Sequence, residues 1–187
     1  MTSTDDVAET SLTARTDAGM LALWNPARFT AITDYQTWED ALLDEQDIRN
    51  HIRAGDLVPV TIGGDGAFAF LLRTGPAAAL ALTGREQEYL LVSSQPYLLR
   101  SGGTARLSGI EDISASPGPA ASTLAIPPGS CSVSIHLIEW DAEPGARDQH
   151  GKAAATALPD FVILIAPQAD ETTAYRTDPQ TFDRPGA

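Results

Sequence analysis

The stretch LAIPPGSCSVSIHLIEW, residues 124–140, decides the fold. It reads as a short strand, a tight turn at Pro127, Pro128 and Gly129, and then a long alternating strand. In the long strand the odd positions are Cys131, Val133, Ile135, Leu137 and Glu139. The even positions are Ser132, Ser134, His136, Ile138 and Trp140. Successive side chains of a strand point to opposite faces. The odd row is core until Glu139. The even row begins polar and turns apolar at Ile138 and Trp140, so that pair needs cover from a helix, a terminal arm, the following loop or a partner. A second apolar run, 161–165, lies beyond a polar loop at 141–159 that is longer than most connections in compact domains. This pattern predicts a β-sandwich with one elaborated loop.

The same parity limits metal chemistry. His136, Glu139, Asp141 and His150 form a tempting cluster in sequence, but His136 and Glu139 face apart on a regular strand. Asp148 and His150 match no standard ligand spacing. No metal and no cofactor are expected. Trp140 has two readings: a rim side chain that plugs the end of the sandwich, or an aromatic anchor in a binding surface.

Working outward, residues 19–24 read as a first strand ended by Asn25 and Pro26. One main helix is predicted over about 37–53. Thr37 is its candidate N-cap, with Asp40 three residues on. Trp38, Ala41, Leu42, Ile48 and Ile52 form its apolar stripe, and Gly55 is its stop. Residues 57–62 and 67–73 flank Gly63, Gly64, Asp65 and Gly66, which predicts a hairpin, and Pro59 marks its first strand as an edge. Short strands are expected at 89–93, 97–100 and 104–107. The fold class is mainly β: an antiparallel β-sandwich of about eight to ten strands with one main helix. Residues 1–15 read as a loose N-terminal arm, 16–167 as a single domain and 168–187 as a polar tail.

The formal net charge is −13 in 187 residues. That disfavours nucleic acid or an anionic membrane as a partner and favours a basic protein. The lone cysteine, Cys131, cannot form an intramolecular disulfide and reads as a small core side chain in a reducing compartment. No stretch approaches 18 consecutive apolar residues, and the polar, acidic start lacks the features of a signal peptide, so the expected location is cytoplasmic.

No GxSxG, HExxH, paired CxxC, P-loop or GxGxxG motif is present. Triads are spatial, so this weakens an enzymatic reading without closing it. The run from 34 to 47 carries Asp34, Glu39, Asp40, Asp44, Glu45 and Asp47. It is either a solvated helix face or a phosphate-like surface for a basic nuclease or toxin. Glu39, Asp40, Asp44 and Asp47 are the candidate binding carboxylates.

The helix with Thr37, Trp38, Glu39, Asp40 and Ala41 leads into the 55–73 unit. Then come Leu124 to Gly129, Ser132 to Ile135 and the last strand at 161–165. This order resembles the competence protein J family, inhibitors of a DNA-entry nuclease, and is similar to uncharacterised bacterial β-sandwich families that include immunity-like proteins. The loop at 141–159 is a departure from that pattern. The resemblance implies an inhibitor or interaction role and supplies no catalytic residues. Two alternatives stay open. One is a small-molecule-binding or enzymatic sandwich with a pocket under the 141–159 loop, lined by Trp140, His136 or His150. The other is a homo-oligomer paired through the Pro59 edge or the Ile138/Trp140 face.

Overall fold

A computed structural model of the protein describes residues 6–170 and 172–183. The described residues are mainly β and form two sheets. One sheet has six strands in the order β1 (Ala8–Thr16), β4 (Gly66–Thr74), β10 (Phe161–Pro167), β9 (Gly129–Ile138) and β5 (Leu90–Ser93), with β6 (Tyr97–Ser101) also paired to β9. The other has four, in the order β3 (Leu57–Thr61), β2 (Met20–Trp24), β7 (Thr104–Gly109) and β8 (Ser122–Ala125). The pairing of β10 with β4 is parallel, Phe161 opposite Phe70, and every other strand pair is antiparallel.

The facing sides of the two sheets share one core. Cys131, Val133 and Ile135 of β9 join Phe161, Ile163 and Ile165 of β10, Phe70 and Leu72 of β4, and Leu21, Leu23, Leu107 and Leu124 from the other sheet. The odd row of β9 therefore lies inside. A smaller cluster sits on the outer face of the six-stranded sheet. There Ile138, Val162 and Leu158 are buried with Leu71, Leu82, Tyr89, Leu90, Trp140 and Leu164. Strand β10 is sandwiched between these clusters, and this double burial is why 161–165 reads as a continuous apolar run rather than an alternation. The cover that Ile138 requires comes from Leu158 of the long loop and from the segment around a short helix, α3 (Gly84–Glu88).

Both glycine-marked turns behave differently from local hairpins. β3 and β4 belong to different sheets, so the turn at 63–66 carries the chain across the sandwich. Val58 and Val60 meet Phe70 and Leu72 in one core, but from opposite sides. The turn at Pro127, Pro128 and Gly129 likewise joins β8 in one sheet to β9 in the other. Alternation specifies which side chains face the core, and it is blind to which sheet a strand joins. Pro59 does lie on an edge strand, β3.

The predicted helix is two helices. α1 (Tyr35–Leu42) is capped by Asp34, whose Oδ1 accepts the Thr37 N–H at 2.9 Å, while the Thr37 hydroxyl accepts the Asp34 N–H at 3.1 Å. Thr37 is thus the third residue of a capping box rather than its cap. At Asp44 the backbone turns extended, and α2 (Glu45–Ala54) starts there. It stops at Gly55, left-handed at φ 75, where a side chain would also press on Leu98 and Arg100.

The terminal expectations need correction. Residues 8–15, expected in a loose arm, form most of β1 because they pair in register with residues 67–74 of β4. In the expected polar tail, Phe182 is 2% exposed and packs edge-on against Phe161. Its N–H donates to the Thr61 carbonyl, and the Tyr97 hydroxyl donates to the Asp178 carbonyl. One buried aromatic side chain and these hydrogen bonds anchor a polar run. Residues 1–5, 171 and 184–187 lie outside the described residues.

Candidate functional site

The acidic residues singled out in the sequence fall on the α1–α2 bend. Glu39 and Asp40 are on α1, Asp44 caps α2, and Asp47 is in the first turn of α2. Asp40 is exposed and accepts from Gln36. Glu39 accepts from the Tyr35 hydroxyl, and this hydrogen bond raises the phenol above its usual pKa. Asp44 makes no side-chain capping bond.

The structure adds an apolar groove along α1, whose lining includes Asp34 and Glu111 and none of Glu39, Asp40, Asp44 and Asp47. Trp38 fixes α1 to the body of the protein, its indole N–H donating to the Ile110 carbonyl at 2.9 Å. Tyr35 stacks on Trp38 with centroids 6.2 Å apart. A groove of about 480 Å³ is lined by Ile32, Tyr35, Trp38, Leu43 and Ile113, with Asp34 and Glu111 also bordering it. Tyr35 and Leu43, 70% and 58% exposed, are the exposed large hydrophobic residues among the described residues, and both line this groove. Lone exposed apolar side chains are ordinary, but two on one groove form a patch. Helical periodicity missed them because neither lies on the buried stripe.

Trp140 is half-buried and engaged within the chain. Its indole N–H donates to Asp160 Oδ1 at 2.8 Å, and the Arg147 guanidinium lies 5.2 Å from its ring centroid. Arg147 also reaches Asp141 at 2.9 Å, and Asp160 accepts the Ala69 N–H. These contacts tie the long loop to the sheet. His136 is on the outer face, with Ser93 Oγ 2.8 Å from Nδ1 and Ser134 Oγ 3.1 Å from Nε2, and burial lowers its pKa. His150 is exposed in the loop.

An open cleft of about 810 Å³ does lie under the loop. Its walls are Ala154, Ala157 and Leu158 of the loop, Ser11 and Thr13 of β1 and Arg85 of α3, not Trp140, His136 or His150. Beside it is a buried ion pair that periodicity did not reveal. Arg73 donates twice to Glu86, both at 2.7 Å, and once to Glu9 at 2.6 Å. Burial opposes the Glu86 charge, but the bonds from Arg73 and the Thr83 N–H outweigh it and hold the carboxyl below its usual range. The sequence signal was the capping box Thr83-Gly84-Arg85-Glu86, which the structure forms.

No family model matches the chain, and no curated protein matches it. Among solved structures the chain is similar to Crocagin biosynthetic gene J, with TM-score 0.57 and 18% identity over 87% of this chain and 97% of that one. A second solved structure is that of ComJ from Bacillus subtilis, inhibitor of the DNA degrading activity of NucA. It aligns with TM-score 0.49 and 7% identity over 87% of this chain and 99% of that one. The likeness to the first is one of fold.

Proposed function

We propose that this chain is a non-enzymatic binding module that docks a basic protein on its α1–α2 face, as a nuclease-inhibitor-like or immunity-like protein. The observation that carries this reading is the position of exposed Tyr35 and Leu43 on one groove. Interfaces of this kind combine a small apolar centre with a charged rim. Asp34 and Glu111 border the groove, Glu39, Asp40, Asp44 and Asp47 extend the acidic surface along α1 and the start of α2, and the net charge of −13 speeds encounter with a cationic partner. Carboxylates on such a rim can take the places that nucleic-acid phosphates occupy on a basic nuclease. The sequence resemblance to inhibitors of a DNA-entry nuclease supports the same role, and buried Cys131 is compatible with a reducing, cytoplasmic setting. Trp140, held by Asp160 and Arg147, is the weaker anchor candidate.

The test is affinity capture from the source lysate with the wild-type chain and the Tyr35→Ala/Leu43→Ser variant. A basic protein retained by wild type, released by added salt and lost roughly tenfold or more by the variant is expected. Equal retention by both proteins would refute the assignment.

A second reading rests on the cleft under the loop: binding of a small molecule between the alanine-rich loop wall and β1. Its check is a ligand-library thermal shift assay in which Ala157→Trp, placed in that wall, abolishes every stabilising hit. Hits that survive the substitution would place binding elsewhere.

A further inference from the structure

The sheets end at β1, β3, β8 and the side of β9 shared by β5 and β6. Three of these edges are guarded. β3 carries Pro59 and meets the C-terminal segment at Thr61. β8 has four residues, and β5 and β6 have four and five. β1 is different. It runs nine residues without proline or lysine, and its register with β4 is unbroken from Ala8 opposite Thr74 to Thr16 opposite Gly66. No strand pairs with its far side among the described residues. A long, regular, unpaired edge is a template for another strand, and natural sheets normally shorten, bend or block it.

The sequence of β1, AETSLTART, says which strand fits. Two copies running antiparallel about Leu12 place Glu9 opposite Arg15, Thr10 opposite Ala14, Ser11 opposite Thr13, and Leu12 opposite its own copy. Glu9, Ser11, Thr13 and Arg15 share one face, the one on which Glu9 meets Arg73. Two Glu9–Arg15 pairs would form there, and opposite charges directly across an antiparallel pair stabilise it. Glu9 can hold Arg73 and a second donor at once, since a carboxylate accepts several hydrogen bonds. Arg15 is exposed, with Asp17 at 3.4 Å and the Asp112 carboxylate near enough to feel its charge. The other face brings together the two Leu12 side chains, each packed at the margin of the main core. Register is specified as well: sliding by two residues one way sets Glu9 against Asp17, and the other way leaves Glu9 opposite Thr13.

We propose that β1 pairs with β1 of a second copy, antiparallel and two-fold symmetric about Leu12, so that two six-stranded sheets become one continuous sheet. The contact is isologous and closes on itself, which gives a dimer and not a filament. It uses neither the Pro59 edge nor the Ile138/Trp140 face, the latter covered by the chain's own loop.

The test is sedimentation equilibrium of the whole chain over a concentration series, with two variants. The mass should rise from 19.8 kDa toward twice that value. Arg15→Glu, which sets like charges against Glu9, should weaken association roughly tenfold. Leu12→Cys should give an interchain disulfide on mild oxidation, with little background because the native Cys131 is buried. If Leu12→Cys folds poorly, a mixture of Ser11→Cys and Thr13→Cys chains supplies the same readout, cross-linking when mixed and not when separate. A wild-type mass fixed at 19.8 kDa at every concentration would overturn the proposal. So would a dimer that ignores Arg15→Glu and forms no residue-12 or 11–13 cross-link.

Discussion

Arg73 and Glu86 form an ion pair in which both partners are nearly buried, at 7% and 2% exposed. A buried pair adds little over an apolar substitute, but losing one partner strands the other charge. Glu86→Gln is therefore expected to lower unfolding free energy by about 3 kcal/mol, measured by denaturant titration. The pH dependence has a definite sign. Glu86 and Asp56 are both held below their ordinary values of 4.5 and 3.8. Burial opposes the Asp56 charge, while hydrogen bonds from His51 and Arg28 outweigh that effect. Each carboxylate contributes stability that is complete above its ordinary value and lost as pH falls through its folded one. Wild type should lose stability below about pH 4.5, and Glu86→Gln should flatten that decline; a cost under about 1 kcal/mol with an unchanged acid limb would contradict the ion-pair account. At this scale the sequence was readable where burial follows parity, as for Cys131, Val133 and Ile135. It was unreadable where two distant side chains meet. Nothing in local spacing joins Arg73 to Glu9, or Trp140 to Asp160.

At the scale of elements, periodicity located most strands and misplaced their company. Two of the clearest sequence turns cross between sheets, because the code for facing inward is the same in both layers of a sandwich. The helix was legible as one apolar stripe from Trp38 to Ile52, and its break at Asp44 was not. The break matters for the site, since it leaves Leu43 pointing out at 58% exposure beside the groove. The C-terminal segment makes the opposite point. Its composition is polar, yet Phe182 reaches the main core. Phe182→Ala is expected to cost about 3 kcal/mol by chemical denaturation. A change within about 0.5 kcal/mol, typical of a surface position, would show the segment to be a loose appendage.

For the whole molecule, mixed sheet topology, the covered outer face and the acidic bend belong to one design. The six-stranded sheet is shielded outside by α3 and the long loop, which uses up Ile138 and Trp140. The exposed apolar patch is left to α1, in the most acidic stretch of a chain with net charge −13. Charge balance was visible in the composition; the groove was not, because it is formed by α1 together with Glu111 and Ile113, far away in sequence. The direct measurement is hydrogen exchange on the free chain and on its complex with the captured basic protein. Slowed exchange confined to residues 32–47 and 110–114 is the predicted result. Protection centred on 141–160, with 32–47 unchanged, would contradict the assignment of the α1–α2 face as the docking surface.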